Sequence, residues 1–495
     1  MKSYSDKIAS IISKNEFLFF FVTVFIIFIS RSGALNLINN EECYITFAKQ
    51  YMDNDWMPYS FHLNDVAGGR IVFQTIFGTL FKYFDTVTTT VTLRFFFSSC
   101  LIFFLYKIYK TTKIDLLIYI PILALAYFPH QFLFGGAWIF GGFESKTLAY
   151  IFVLWSLNKL IKKERTHQEY IIAGAVYFHF LIGFWYFFIY LLFSLIEDRK
   201  VLFKISFKVL ILISPLLFYL FSTYISIENT VFEYNPDWIY TYIRNPHHTV
   251  PFESWKNFKS HFLVGFSVVS ILIILHFTTK ISLFFKEEVH QRIYSLTLLI
   301  SIVQVLFVLL SYFDKNGTFL KLYPFRMNTI LSLLMFILIT ITIQKIKYKR
   351  IIFISIIWIA TISYTISKSI KMIKKSGELP LVEVANYLKE NTDKKSVFLV
   401  IDNFGNSELR RLSERNEFYS RFVPTQKDKI VEWYYRMLES EQIIEASKKE
   451  IDISATQRKI DYIICNKKRT DKNLIYSSER YFIYKTSINI LNISK

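Results

Sequence analysis

The chain has 495 residues, of which 53% are hydrophobic and 19% aromatic. This content is too apolar for an ordinary soluble domain, and the apolar residues gather into runs of about 20, the length of a membrane-crossing helix. The formal net charge is +19, but Lys and Arg cluster between apolar runs or in the C-terminal part, which favours membrane orientation over nucleic-acid binding. Composition therefore excludes a soluble core and predicts a polytopic membrane protein without a nucleic-acid partner.

The apolar runs predict an α-helical membrane protein with about eleven membrane segments. Residues 170–196 are too long for one span and too short for two, and both flanks are basic, which predicts two half-length helices that enter the membrane and return. The predicted segments are, in chain order, 17–29, 87–106, 114–127, 147–160, the re-entrant pair 170–196, 209–227, 262–278, 293–312, 328–343 and 351–370.

Basic clusters predict the orientation of these segments. Lys and Arg flank the apolar runs on alternate sides, so the positive-inside rule places the N-terminus in the cytoplasm and the C-terminal part outside. The first segment lacks a cleavage site and is expected to remain as a helix.

The C-terminal residues change from long apolar runs to short elements. LPLVEVANYLKENT, opened by Pro380, predicts an amphipathic helix, and SVFLVI predicts a short buried strand. A helix at KDKIVEWYYRMLES and strands at IDYIICN, YFIYKT and INILNI follow. The sequence thus predicts a multi-span membrane domain at 1–371 and a small external α/β domain at 372–495.

Four predicted external loops carry charged or titratable groups, which are costly inside a membrane and therefore indicate a functional surface. These residues are Glu41 and Glu42 in the first loop, Glu144 and Lys146 at the end of the second, Arg244, His247 and His248 in a third, and Arg326 in the fourth.

The chemistry of this set suits transfer of a sugar from a lipid phosphate. Glu41 and Glu42, or one of them with Glu144, can take a proton from a hydroxyl group or hold a divalent cation such as Mg²⁺ or Mn²⁺. The Arg forks match phosphate oxygens, and the paired histidines can donate hydrogen bonds, move a proton or bind a metal. A lipid carrier would keep its tail in the bilayer while its head group reaches the loops.

Each group also has a purely structural interpretation. Glu41 and Glu42 can complement the positive end of a helix, and Glu144 with Lys146 can be an interfacial ion pair. Arg326 can be an anchor whose charged head reaches the membrane surface. The combination of all four loops favours a site more than any one of them does.

Several of these stretches resemble the GT-C superfamily of integral-membrane glycosyltransferases. The likeness lies in the acidic pair after the first helix, in FGGFESKTLAYIF, RNPHHTVP and YPFRMN, and in VFLVIDNFGNSELRRLSERNEFYSRFVP followed by IVEWYYRML. These motifs are similar to those of a bacterial group of GT-C-like membrane proteins. The resemblance covers most of the chain.

The resemblance implies an inverting glycosyltransferase in the bacterial inner membrane that uses a polyprenyl-phosphate-linked sugar donor. Glu41 or Glu42 would be the base or metal ligand, Glu144 the second acidic residue, and Arg326 the contact to the donor phosphate. The acceptor would be an extracytoplasmic glycan, lipid or protein in cell-envelope polysaccharide biosynthesis. The C-terminal residues Arg410, Arg411, Arg415 and Trp433 are expected to hold the acceptor, to cover the site, or to form a solvated basic surface.

Three other functions remain open from the sequence. A polysaccharide polymerase or ligase that uses lipid-diphosphate-linked oligosaccharides would need the same charges around a bulkier donor. A transporter or flippase for a polar lipid is less consistent with the sequence, which has no internal repeats and, apart from Arg94, no charged residue in the middle of its spans. A non-enzymatic scaffold for envelope assembly would leave the loop charges scattered.

Overall fold

The computed structural model describes most of the chain, and all structural statements below refer to those residues. The described residues are 14–38, 40–133, 135, 137–197, 199–225, 232–251, 259–279, 281–346, 350–376, 381–401, 406–448, 460–468 and 473–486. The predicted helix start at Pro380 and the predicted strand INILNI lie outside these ranges.

The structure is mostly helical, as the apolar runs predicted. The longer helices are, in chain order, α1 (Glu16–Ser32), α2 (Glu41–Met52), α3 (Ile71–Tyr83), α4 (Thr86–Thr112), α5 (Leu116–Ile122), α6 (Ser145–Ile161), α7 (Gln168–Phe178), α8 (Phe180–Glu197), α9 (Arg199–Ile225), α10 (Lys259–Thr278), α11 (Glu288–Phe313), α12 (Asn328–Ile343), α13 (Arg350–Ser376), α14 (Leu381–Asn391), α15 (Asn406–Ser413) and α16 (Lys427–Lys448).

Within the described residues, six helical segments are long and apolar enough to cross a membrane. The chain is therefore a helical membrane protein, while the larger number of about eleven segments stays a prediction. The six segments are Thr86–Thr112, Phe180–Glu197, Phe203–Thr223, Glu288–Phe313, Leu320–Ile343 and Ile351–Ile373.

The predicted pair at 170–196 consists of two helices of unequal length. Helix α7 has 11 residues and α8 has 18, which is long enough to cross. The helices separate at His179, whose backbone is extended. A Cβ atom on Gly183 would lie 2.3 Å from the backbone nitrogen of Val176, so the two helices pack backbone against backbone at this glycine.

The contacts divide the chain into two compact units, which are described separately. The membrane unit comprises Met1–Ile38, Val87–Leu220 and Thr241–Ser376. The loop unit comprises Asn39–Thr86, Phe221–Tyr240 and Gly377–Lys495. The sequence predicts that residues 39–86 belong to the membrane domain, whereas their contacts group them with the C-terminal residues.

A small five-stranded sheet forms the C-terminal part of the loop unit. Its strands are β1 (Val397–Val400), β2 (Asn416–Glu417), β3 (Tyr462–Cys465), β4 (Leu474–Ser477) and β5 (Phe482–Lys485), in the spatial order β2-β1-β3-β5-β4. Strand β1 pairs in parallel with β2 and β3, and β5 pairs antiparallel with β3 and β4. Alternate residues point to opposite faces, so Phe398 packs towards α14 and Leu399 towards α16.

The first-loop helices α2 and α3 pack closely within the loop unit. A Cβ atom on Gly78 would lie 2.2 Å from the carbonyl oxygen of Ala48, so only a glycine allows this approach. The chain between the helices turns at Gly68, whose φ is +53°. These features fix the position of Arg70, which directly precedes α3.

Candidate functional site

The segment before α6 is held in place by a buried glutamine. The Gln131 side-chain oxygen accepts hydrogen bonds from the backbone nitrogens of Ile139 (2.8 Å) and Phe140 (2.7 Å), and its nitrogen donates to the Phe140 carbonyl (2.8 Å). These bonds satisfy the backbone of an irregular loop without a sheet or helix. They fix the stretch that carries Trp138 and leads to Glu144.

Glu144 and Lys146 form a buried ion pair at the start of α6. The Lys146 Nζ lies 3.0 Å from Glu144 Oε1, and the two side chains are only 7% and 3% exposed. The same ammonium lies 3.4 Å from the centroid of the Trp138 ring, a cation–π contact. Burial, with Arg326 adding to it and Glu144 opposing it, lowers the pKa of Lys146 to about 8. Lys146 is therefore charged at neutral pH but close to losing its proton.

Arg326 follows a strained turn that two membrane helices hold. Tyr323 has a left-handed backbone (φ 52°, ψ 59°), which is uncommon for a residue other than glycine. Trp185 of α8 donates to the Leu322 carbonyl at 2.6 Å, and Gln304 of α11 donates to the Pro324 carbonyl at 3.2 Å. The turn is thereby fixed on both sides of the tyrosine.

The guanidinium of Arg326 lies over the Tyr323 ring, 4.5 Å from its centroid. Among the described residues, no carboxylate forms an ion pair with it, and no group accepts a hydrogen bond from its buried Nε. A buried donor without an acceptor costs free energy, so this arrangement favours an incoming anion.

The two histidines lie on one helical turn, Pro246–Thr249. The Thr249 hydroxyl holds this turn by donating to the carbonyls of Thr241 and Asn245, both at 2.8 Å. The ring centroids of His247 and His248 lie 3.9 Å apart, and the ring centroid of His248 lies 5.8 Å from that of Tyr323. The histidine turn and the Arg326 turn therefore meet.

The histidines are neutral at pH 7. Burial, reinforced by Arg244 and Arg326, lowers the pKa of His247 to about 4. Burial and Arg326 hold the pKa of His248 well below its usual value. Each neutral ring keeps one donor and one acceptor nitrogen, so these residues offer hydrogen bonds and not charge.

Positive charge exceeds negative charge in this cluster. Glu144 offsets Lys146, whereas Arg326 has no described carboxylate partner, and Arg244 acts on both histidine rings. Partly desolvated arginine and lysine side chains with spare donors match the oxygens of a phosphate. The cluster is therefore suited to bind an oxyanion.

Binding of a phosphodiester through Lys146 should weaken as the pH rises through about 8, because the ammonium then loses its proton while the phosphodiester keeps its charge. We expect the dissociation constant of a phosphodiester ligand to increase about tenfold between pH 7 and pH 9, the scale of one charge-assisted hydrogen bond. Equilibrium binding across this range measures the change. In Lys146→Arg the increase should disappear, because arginine stays charged. An unchanged profile in that variant would assign the titration to another group.

The first-loop carboxylates lie in the loop unit. Glu41 is completely buried at the start of α2. Glu42 is held by Arg411 of α15, whose Nε and Nη2 donate to its two oxygens at 2.8 and 2.9 Å. Both side chains of this pair are nearly buried, at 13% and 11% exposure. Glu42 is thus the ion-pair partner of Arg411.

The first-loop carboxylates do not fit a shared divalent cation in this arrangement. Both oxygens of Glu42 already accept hydrogen bonds from Arg411, so a metal would have to displace that guanidinium. Across the part of the chain that the structure describes, no group of three or more His, Cys, Asp or Glu side chains is placed to hold a metal ion. The suggested Mg²⁺ or Mn²⁺ site remains a sequence-based prediction without a matching ligand set.

The C-terminal residues singled out in the sequence are mostly interior. Trp433 is 1% exposed and Arg410 is 0% exposed, with Arg410 paired to Glu417 at 3.1 Å. Arg415 is 5% exposed and donates to backbone carbonyls, including that of Thr392. These side chains stabilise the domain and do not form a solvated basic surface.

The structure brings together six of the eight predicted site residues. Glu144, Lys146, Arg244, His247, His248 and Arg326 lie in the membrane unit and act on one another electrostatically. Glu41 and Glu42 belong to the loop unit. The sequence did not point to Trp138 or Arg70, and it placed Tyr323 in the same loop as Arg326 without predicting their contact. The sequence around these three residues offers only a weak signal, an aromatic or glycine residue close to a basic residue.

Fold and site together define a helical membrane protein with a partly buried, positively charged cluster that is suited to bind an oxyanion. No protein-family model matches the sequence, and no curated protein is similar enough to count as a relative.

Proposed function

We propose that this chain is a glycosyltransferase of the bacterial inner membrane that moves a sugar from a polyprenyl-phosphate donor to an extracytoplasmic glycan, lipid or protein. The observation that carries the proposal is the guanidinium of Arg326, stacked on Tyr323, with no described carboxylate partner and with Lys146 and His248 in the same cluster. This arrangement fits a phosphate, and the apolar helices of the same unit fit a lipid tail.

In the proposed reaction, an acceptor hydroxyl oxygen attacks the anomeric carbon while the bond between that carbon and the phosphate oxygen breaks. The hydroxyl proton goes to a carboxylate, and Glu41 is the candidate that the resemblance of the first loop implies. The leaving polyprenyl phosphate gains one negative charge. Arg326, Lys146 and Arg244 are assigned to that charge, since cations aimed at developing charge lower the barrier most. The configuration at the anomeric carbon inverts.

Glu144 is assigned a supporting role in the same reaction. Its 3.0 Å contact keeps Lys146 charged inside a buried site, where an unpaired ammonium would tend to lose its proton. The neutral histidines are assigned hydrogen bonds to phosphate oxygens. A phosphate dianion beside them would raise the pKa of both rings and favour proton uptake as the product forms.

The test uses the purified full chain in lipid nanodiscs and two ligands that share a tail, geranyl phosphate and geraniol. We expect geranyl phosphate to bind more tightly than geraniol, and Arg326→Gln to weaken its binding about tenfold or more. The control is Lys315→Gln, which removes the same charge from an exposed residue of the same unit. It should bind like the unaltered protein.

Sugar transfer is then assayed with radiolabelled polyprenyl-phosphate sugars and membranes that supply the acceptor. Transfer by the unaltered chain and its loss in Arg326→Gln are the expected results. Equal binding of geraniol and geranyl phosphate, or an Arg326→Gln variant that binds like the control, would reject the donor site. Phosphate binding without transfer of any tested sugar would reject the transferase.

A further inference from the structure

We propose that Arg70 forms a second oxyanion site, located in the loop unit, which binds a carboxylate or phosphate group of the acceptor. The identification of the ligand as the acceptor depends on the proposed function, whereas the oxyanion site depends on the geometry of the loop unit alone. The proposal narrows the acceptor to an anionic molecule, such as a glycan with a uronic acid or a phosphate substituent.

Aromatic rings hold the guanidinium of Arg70 on several sides. Its central carbon lies 4.8 Å from the ring centroid of Tyr44, 5.6 Å from that of Phe422 and 6.0 Å from that of Phe47. Rings at these distances attract the cation through their faces. They accept none of the hydrogen bonds that the N–H groups of the guanidinium donate in its own plane. The rings therefore hold the guanidinium from several sides while its donors stay available.

The donors of Arg70 have no acceptor among the described residues. Its Nη1 is buried and unpaired, and no described carboxylate forms an ion pair with the group. The residue as a whole remains partly exposed, so a ligand can reach it. An orientated guanidinium with unused donors is the arrangement that bidentate binding of a carboxylate or phosphate requires.

Other arginines of the same unit differ in this respect. Arg410 is paired with Glu417, Arg411 with Glu42 and Arg436 with Glu432. Arg415 of the same unit donates to backbone carbonyls instead. Each of these four guanidinium groups therefore has hydrogen-bond acceptors, whereas Arg70 has none among the described residues. The closest parallel is Arg326 of the membrane unit, which also lies over a tyrosine without a described carboxylate partner.

The position of Arg70 links this site to Glu41. Tyr44, which lies under the guanidinium, is three residues after Glu41 in α2. Residues three apart share a helix face, with Cβ atoms about 5–6 Å apart. An anion bound by Arg70 would therefore lie on the same side of α2 as the carboxylate assigned as base, and it would hold the acceptor there.

The first experiment measures how fast each arginine of the full-length protein in nanodiscs reacts with phenylglyoxal, by peptide mass spectrometry. It is run in sodium chloride, phosphate and glucuronate at equal ionic strength. We expect phosphate, glucuronate or both to slow modification of Arg70 several-fold and to leave the exposed Arg480 unaffected. Protection by phosphate alone indicates a phosphorylated acceptor, and protection by glucuronate indicates a uronic acid. Equal protection of both arginines, or of neither, would overturn the proposal.

A second measurement covers the case in which Arg70 is too enclosed to react. Phosphate or glucuronate should raise the thermal midpoint of the unaltered protein more than that of Arg70→Gln, because a ligand of the native state stabilises it. Arg480→Gln should behave like the unaltered protein. An Arg70→Gln variant with the full anion-induced shift would reject the site.

Neither measurement needs a sugar donor, so failure of the transferase proposal would leave this test intact. If transfer is established, Arg70→Gln should raise the acceptor KM and leave the donor KM unchanged. A change confined to the donor KM would contradict the acceptor assignment even if the anion binds.

Discussion

Replacement of Glu41 by glutamine should lower the rate of sugar transfer at saturating donor by about 10²–10⁴-fold, the usual contribution of a positioned general base. Glutamine keeps the size and one oxygen of the side chain but cannot accept a proton at neutral pH. Because the assigned role of Glu41 is proton removal from the acceptor, the affinity for geranyl phosphate should not change. The measurements are single-turnover transfer and equilibrium binding on the same preparation.

The matched control is the neighbouring substitution Glu42→Gln. Both oxygens of Glu42 accept hydrogen bonds from Arg411, so a proton could bind there only at the expense of this ion pair. We therefore expect Glu42→Gln to reduce stability but to keep transfer within about tenfold of the unaltered protein. If Glu42→Gln loses as much activity as Glu41→Gln while remaining folded, the assignment of the base to Glu41 is wrong.

Much of the membrane unit could be predicted from the sequence because its signals are local. Runs of apolar residues and basic flanks report the lipid environment residue by residue. The same logic indicated that Glu144, Arg244, His247 and Arg326 would not face lipid. Three polar loops of one compact unit have few places to lie other than next to one another. Contact between them was therefore a reasonable expectation, and the structure shows these loops close together.

The loop unit was harder to predict because its decisive contacts join distant parts of the chain. Glu42 and Arg411 are 369 residues apart. Neither α2 nor α15 carries a local pattern that identifies the other, and an acidic pair at a helix start has a sufficient local explanation. The sequence therefore assigned residues 39–86 to the membrane domain, whereas contacts assign them to the loop unit.

The protonation state of the two histidines also could not be predicted from the sequence. Two adjacent histidines near arginines can be charged or neutral, and the choice depends on burial and on distances to the cations. Here, burial and Arg326 lower the pKa of His248, and the same causes together with Arg244 lower that of His247. Both histidines are therefore neutral hydrogen-bonding groups, one of the roles that the sequence left open for them.

Removal of the Arg411 guanidinium should destabilise the loop unit, because it leaves a nearly buried carboxylate without its partner. In Arg411→Gln the carboxylate of Glu42 stays nearly buried but loses two charge-assisted hydrogen bonds, so we expect α2 to open more easily by about 2–3 kcal/mol. Native-state hydrogen exchange of the α2 amides measures this local opening.

The double variant Glu42→Gln with Arg411→Gln separates the ion pair from general loss of packing. Because no unpaired charge is left, the double variant should be more stable than the sum of the two single effects, by about 1–2 kcal/mol. The exposed pair Lys389 and Glu414 of the same unit supplies the control, with side chains 47% and 31% exposed. Its coupling should stay below about 1 kcal/mol, since water screens it. Strict additivity for Glu42 and Arg411 would mean that the two helices are held by apolar contacts and that the C-terminal arginine does not fix the acidic first loop.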